Sequence, residues 1–314
     1  MGNFIFSLNA TVPIFLVMVF GWILMKKELF TKDFAAIADK YVFKVALPLL
    51  LFKDIATADI RQSFDWKFVI FCAAVTTVMF MGVWALTSIF MKDKSMVGAF
   101  SQASVRGSGA ILGIAFVENI YGNSGMAPLM IVSAIPLYNI YSVIILTFGS
   151  KNRKKDGNLV KTTIKNVITN PIILGILAGM PFSFFNITIP EIPLKVISNV
   201  AVTATPIALL MIGAEFEGRK ALAKIKPTII ATFIKLVLLP VLILPVAVLM
   251  GFRDSELISI LIVAGSPTTV TCYIMAKNMG NDEVLTSSIV AMATLLSSVT
   301  LTLWVFILKF YGFI

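Results

Sequence analysis

Apolar residues run through this chain in long blocks that charged residues interrupt only at intervals. Uncharged stretches cover residues 1–25, 68–91, 119–150, 166–190, 196–214, 257–276 and 284–308. Each can hold a helix across a bilayer, because about 20 apolar residues rising 1.5 Å apiece span the hydrocarbon. Three further candidate spans carry a few charges: residues 34–58 with Asp39, Lys40, Lys44, Lys53 and Asp54, residues 96–118 with Arg106 and Glu118, and residues 227–252 with Lys235. The pattern predicts an all-α integral membrane protein with ten transmembrane helices and short connections. The first run has no basic residue ahead of it, which argues against a cleaved leader.

Composition narrows the chemistry. Of 314 residues, 58% are hydrophobic and 13% charged, against roughly 25% charged in soluble domains, so no room is left for a soluble catalytic domain. The chain has no His and only two cysteines, Cys72 and Cys272. That removes an imidazole relay and a Ser/His/Asp triad and handicaps a zinc site; no catalytic residue, metal or cofactor is expected. Both cysteines lie in apolar runs and read as buried free thiols.

The net charge of +10 resembles a nucleic-acid signal until its location is considered. With the N-terminus outside, 16 Lys and Arg fall in inner connections, including residues 151–155, and six fall on the outer side: Lys53, Arg61, Lys67, Lys195, Arg253 and Lys309. The positive-inside rule then puts both termini on the extracytoplasmic side of the cell (cytoplasmic) membrane. The implied partner of the charge is the lipid bilayer, not nucleic acid.

A repeat organises the spans. Shifted by 158 residues, the chain superimposes Pro13 on Pro171, Gly21 on Gly179, Pro48 on Pro206, Gly107 on Gly265, Gly122 on Gly280 and Asn123 on Asn281. Chance gives about one Pro or Gly coincidence at these frequencies, and five occur without a gap. Residues 1–149 and 161–314 are therefore read as two five-helix repeats joined by a basic cytoplasmic linker at residues 150–160. An odd number of spans inverts one repeat against the other, the architecture of secondary transporters whose site lies near the midplane.

The fourth span of each repeat should be interrupted. Residues 102–109 read Gln-Ala-Ser-Val-Arg-Gly-Ser-Gly, and residues 264–271 read Ala-Gly-Ser-Pro-Thr-Thr-Val-Thr. Breaks leave backbone N–H and C=O groups unpaired at several kcal/mol each in hydrocarbon, so they persist only where protein, water or ligand satisfies them. Two half-helix N-termini meeting there suit an anion. The competing reading is close helix packing through small residues; Pro267 and the shared register favour breaks.

Charges at depth carry the next step, since they are costly and usually line a pathway. Arg106 lies at the first break, and Lys235 lies about 13 Å along its span from Lys226. Lys44, nearer a membrane face, reads as a snorkelling side chain. Asp39, Asp54, Glu118 and Glu215 all fall near span ends, so no coupling carboxylate stands out. Facilitated transport, coupling through backbone and hydroxyl ligands, and coupling at a half-buried acid all remain open.

The second span, Tyr41-Val-Phe-Lys-Val-Ala-Leu-Pro48-Leu-Leu-Leu-Phe52, the segments around Arg106-Gly107-Ser108-Gly109 and Leu137-Tyr138-Asn139, and above all Ala264-Gly-Ser-Pro267-Thr-Thr-Val-Thr-Cys-Tyr273 carry a resemblance. Over nearly its whole length the chain resembles the auxin efflux carrier family, which includes bacterial malonate and malate permeases and plant PIN proteins. The resemblance implies a scaffold of helices 1, 2, 6 and 7, a mobile unit of helices 3–5 and 8–10, and crossing broken helices 4 and 9. Two departures are Gly107, where the family often has Asn, and Ala115, where it often has Pro.

These observations lead to a secondary transporter of a small organic anion, carboxylate or auxin-like, working by an elevator-type movement. The expected substrate-binding residues are Arg106, Gly107, Ser108, Asn139, Pro267, Thr268 and Thr269, with Lys235, Pro48 and Pro206 in structural or electrostatic support. By analogy with sodium/proton antiporters, Lys235 is read as offsetting carbonyl ends rather than binding ligand. Arg106 has two readings, anion ligand or clamp on the break. A homodimer through the scaffold helices is a further expectation. The alternatives are a sodium-coupled symporter resembling the bile-acid carriers and a membrane sensor that binds its ligand without moving it.

Overall fold

The long apolar runs are helices in the computed structural model, which describes residues 2–58, 64–150, 159–185 and 187–314. Helix α1 (Gly2–Lys26) precedes a continuous rod made of α2 (Lys32–Tyr41), a π-helical turn (Val42–Ala46) and α3 (Leu47–Ala56). Next come α4 (Trp66–Phe90), the interrupted pair α5 (Val97–Val105) and α6 (Gly109–Tyr121), and α7 (Ala127–Gly149). In the second half, α8 (Leu159–Ile168) and α9 (Pro171–Phe185) meet at a bend of 56° and lead to α10 (Glu191–Ala201), α11 (Ala204–Ala214) and short α12 (Gly218–Ala223). A second rod joins α13 (Ile225–Phe233), a π-helical turn (Ile234–Leu238) and α14 (Leu239–Leu249). The interrupted pair α15 (Asp254–Gly265) and α16 (Thr271–Asn278) and the long α17 (Glu283–Phe310) complete the chain.

Among the described residues the one pairing outside helices is an isolated antiparallel bridge between Gly107 and Thr268. By length and apolarity, five helical segments among the described residues can cross a membrane, Trp66–Phe90, Ala127–Gly149, Glu191–Ala214, Ile225–Leu249 and Glu283–Phe310, and the bent pair, taken as one span, makes a sixth. The protein is therefore all-helical and multi-pass. Large apolar side chains such as Leu16, Phe185, Ile192 and Leu249 are exposed, a surface suited to lipid, while Phe80, Met130, Ile145 and Leu261 form the interior. Most of the basic linker read at residues 150–160 lies outside the described residues, as do Arg61 and the side chain of Ala115.

Three prolines within these apolar runs are accommodated in two ways. A proline inside a helix costs about 3 kcal/mol, because it lacks an N–H and its ring strikes the carbonyl four residues back. Each rod places its π-helical turn just before such a proline, Pro48 or Pro240, and the preceding Leu47 and Leu239 N–H groups reach back to Val42 and Ile234. The carbonyl that Pro240 cannot serve, that of Leu236, accepts the Trp304 indole N–H at 3.0 Å. Pro206 instead sits in the first turn of α11, after the helix has stopped at Ala201, where no N–H is needed.

Glycines set how closely the helices approach. Helix α1 packs on α11, and α3 on α9. A Cβ on Gly21 would lie 2.1 Å from the Leu210 oxygen, and one on Gly179 would lie 2.7 Å from the Phe52 oxygen. Neither site admits a side chain without moving backbone. The two contacts interchange under the 158-residue shift, Gly21 becoming Gly179 and Phe52 becoming Leu210.

Candidate functional site

The two helix interruptions face one another. Between α5 and α6, and between α15 and α16, the backbone runs extended and antiparallel. The Ser108 N–H donates to the Pro267 carbonyl at 3.0 Å and the Thr269 N–H to the Arg106 carbonyl at 3.4 Å, on either side of the Gly107–Thr268 bridge. A Cβ on Gly107 would meet Ser266 Oγ at 2.2 Å and Lys235 Nζ at 3.0 Å. The close approach of these groups is the physical reason for glycine at this position.

Carbonyls at the C-terminal ends of both leading half-helices have donors. On α5, the Gln102 carbonyl accepts the Arg106 N–H at 2.9 Å, and the Ala103 carbonyl accepts the Thr268 hydroxyl at 2.7 Å. On α15, the Val263 carbonyl accepts the Tyr138 hydroxyl at 3.0 Å and Lys235 Nζ at 2.9 Å, and Lys235 Nζ also reaches the Ala264 carbonyl at 3.0 Å. Lys235 is completely buried. Its ammonium faces the negative end of a helix dipole, which offsets part of the cost of removing a charge from water.

The N-terminal ends of the trailing half-helices differ, since neither α6 nor α16 has a side-chain cap. The Arg106 guanidinium, 3% exposed, is held against α7 and α16. Its Nη2 donates to Asn139 Oδ1 at 2.7 Å, and its Nη1 to Ser142 Oγ at 3.3 Å and Met275 Sδ at 2.8 Å. Asn139 is oriented by its own Nδ2, which donates to the Ile135 carbonyl at 2.9 Å. Every partner of Arg106 among the described residues is neutral. Ser266 Oγ and both side-chain polar atoms of Gln102, one turn before Arg106, are buried without a partner. A buried cation held only by neutral groups keeps its charge uncompensated, which suits an anion.

Of the residues expected from sequence, Arg106, Gly107, Ser108, Pro267, Thr268 and Thr269 meet at the interruption, Asn139 contacts Arg106, and Lys235 lies behind Gly107. The Thr268 hydroxyl is taken by the Ala103 carbonyl and acts as a clasp in this conformation. Pro48 and Pro206 sit in α3 and α11, and Lys44 is exposed. Ser142, Met275, Ser266 and Gln102 join the site without having been singled out. Ser142 follows Asn139 by three residues, a spacing that shares a helix face and could have flagged it.

An all-helical multi-pass protein with charged side chains buried where two interrupted helices meet is of the membrane-transporter class. The chain belongs to the membrane transport protein family, that of the auxin efflux carriers, which matches residues 6–305. It is similar to the uncharacterized transporter YfdV of Escherichia coli (strain K12), with 26% identity over 316 residues covering 96% of this chain and 98% of that protein. The putative malonate transporter of Rhizobium meliloti (strain 1021) is 23% identical over 270 residues, 83% of each chain. The lysosomal cholesterol signaling protein of Mus musculus is 23% identical over 263 residues, 78% of this chain and 30% of that protein.

Proposed function

We propose that this transporter moves a small organic carboxylate, held at the paired interruptions by the Arg106 guanidinium and the N-terminal ends of α6 and α16. The observation that carries the reading is that Arg106 is buried with only neutral partners among the described residues, while carbonyls at both neighbouring C-terminal helix ends already have donors. Positive potential is left in surplus, and a carboxylate is the chemistry it suits. A relative named a putative malonate transporter makes malonate the first probe.

The same proposal includes ten spans in two inverted repeats, with both termini extracytoplasmic. Its support is the exchange of Gly21–Leu210 with Gly179–Phe52 under the 158-residue shift, and the positive φ of both Gly122 (74°) and its equivalent Gly280 (69°). The mobile unit would carry both interruptions past the scaffold as an elevator. Charge is not repeated, since Arg106 corresponds to Ala264 and Lys235 to Thr77.

A thermal-shift screen of detergent-purified protein against mono- and dicarboxylates, malonate among them, tests the reading. A site ligand at 100 times its Kd stabilises by about 2.7 kcal/mol and raises the melting temperature. Uptake of the stabilising acid into proteoliposomes should follow. A screen in which cations or neutral solutes stabilise and no carboxylate does contradicts the proposal.

A further inference from the structure

Half-helix α16, which contacts Arg106 through Met275, is tied down at its other end by an ionic cluster. Lys277 Nζ donates to Asp39 Oδ2 on α2 and to Glu215 Oε2 just beyond α11. The Tyr273 hydroxyl donates to the same Glu215 oxygen. Two carboxylates therefore converge on one ammonium, and the trio carries a net charge of −1. Asp39 is 2% exposed, and its second oxygen, Oδ1, is buried without a partner.

Other charged groups of both signs surround the cluster. Glu283, at the start of α17, is a further acid facing Asp39 and Tyr273. A cavity of about 600 Å³ opens on Glu215 and Tyr273, and its wall brings Lys26, Lys32, Glu217 and Lys220. Those lysines belong to α1, α2 and α12, whereas the unpartnered Asp39 oxygen has none of them as a hydrogen-bond donor. The cavity opens on one side of the cluster, which gives a proton a route to it.

We propose that Asp39 and Glu215 together bind one proton, and that its arrival loosens the hold of α2 and α11 on α16. A proton delivered by hydronium forms an O–H bond on one carboxylate and leaves a water molecule; that carboxylate's ionic contact with Lys277 is lost, and the ammonium stays on the other carboxylate. The trio passes from −1 to neutral. One of the two ionic contacts that hold Lys277 is then gone and the other remains, so less has to be broken for α16 to move. Each of the three contacts joins α16 to α2 or to the end of α11, so the proton sets how readily the half-helix carrying Met275 slides. The proton site stands independently of the transporter reading; only the meaning of the sliding rests on it.

Infrared difference spectra of the full chain in lipid nanodiscs, between about pH 8 and about pH 5, detect a carboxylic-acid carbonyl band from the shared proton. Asp39→Asn and Glu215→Gln should each abolish the band or move it below this range, because one carboxylate then balances Lys277. Lys277→Met should raise its midpoint by about one pH unit or more, since two acids then face each other without a cation. A band indifferent to all three changes, or a Lys277→Met midpoint equal to that of the parent, overturns the proton site.

The release is read separately with Val284→Cys, on the cavity wall, labelled by a maleimide and corrected for thiolate fraction with a peptide thiol. The corrected rate should change severalfold between the two pH values and lose that dependence in Glu215→Gln. Equal corrected rates at both pH values overturn the latch. Failure of every carboxylate to bind or be transported, with the infrared pattern intact, would instead count against the substrate reading.

Discussion

Lys235→Met removes the ammonium while keeping an unbranched apolar stem of similar length. The loss covers two charge-assisted hydrogen bonds, to the carbonyls of Val263 and Ala264 at 2.9 and 3.0 Å. Such bonds are worth about 1.5–3 kcal/mol each, but removing a buried ammonium also relieves its own desolvation cost. The balance is decided by what each carbonyl retains. Val263 keeps the Tyr138 hydroxyl at 3.0 Å, whereas Ala264 depends on Lys235. One buried carbonyl is left unsatisfied, a cost of about 1–3 kcal/mol, and this is the expected loss of stability. Tyr138→Phe alone should cost about 1 kcal/mol or less, because Lys235 still serves Val263. Combining the two leaves both carbonyls bare, so the double variant should lose about 0.5–3 kcal/mol more than the sum of the singles. Denaturant titration of the four proteins in one detergent measures this. Additive losses, or a Lys235→Met protein as stable as its parent with an altered ligand preference, would refute the assignment of Lys235 to the helix end.

Other outcomes follow from the same geometry. Gly21→Ala drives a methyl toward the Leu210 oxygen, 2.1 Å from an ideal Cβ, and should destabilise by about 1–3 kcal/mol; Gly82→Ala, with open space around it on α4, should be neutral or gain about 0.5–1 kcal/mol. Thr268→Val unpairs the buried Ala103 carbonyl and should cost about 1–3 kcal/mol in the same titration. A Cys at Asn158 should react with impermeant thiol reagents only after the cytoplasmic face is opened, and one at Asn186 should react from outside. Both positions lie outside the described residues, and the reverse labelling contradicts the inverted repeat.

The all-helical membrane fold was legible in the chain because spans need long uncharged runs, and few other structures tolerate them. The interruptions were legible for the same reason turned around, since Gly, Ser and Pro in mid-run at Gly107, Ser108 and Pro267 cannot continue a helix cheaply. The π-helical turns were not, because they arise from a one-residue slip of backbone hydrogen bonding that leaves no compositional trace. Pro48 and Pro240 are visible only as prolines until Leu47 and Leu239 are seen reaching back five residues. Lys277 was counted as a loop charge, and Asp39 and Glu215 as span-end acids. Their meeting is tertiary: 238 residues separate Lys277 from Asp39, and 62 separate it from Glu215.

The central claim is that Arg106 holds the anion. The most direct measurement is the affinity of the first carboxylate found to stabilise the parent protein, determined for the parent, Arg106→Gln and Arg106→Lys with folding checked in each. Loss of a charged hydrogen bond worth about 1.5–3 kcal/mol corresponds to weakening of about 10- to 150-fold in Arg106→Gln. Arg106→Lys should recover only part of it, because an ammonium lacks the guanidinium fork. Unchanged affinity in a well-folded Arg106→Gln protein would contradict the account and leave the amides of α6 and α16 as the sole anion-selective groups.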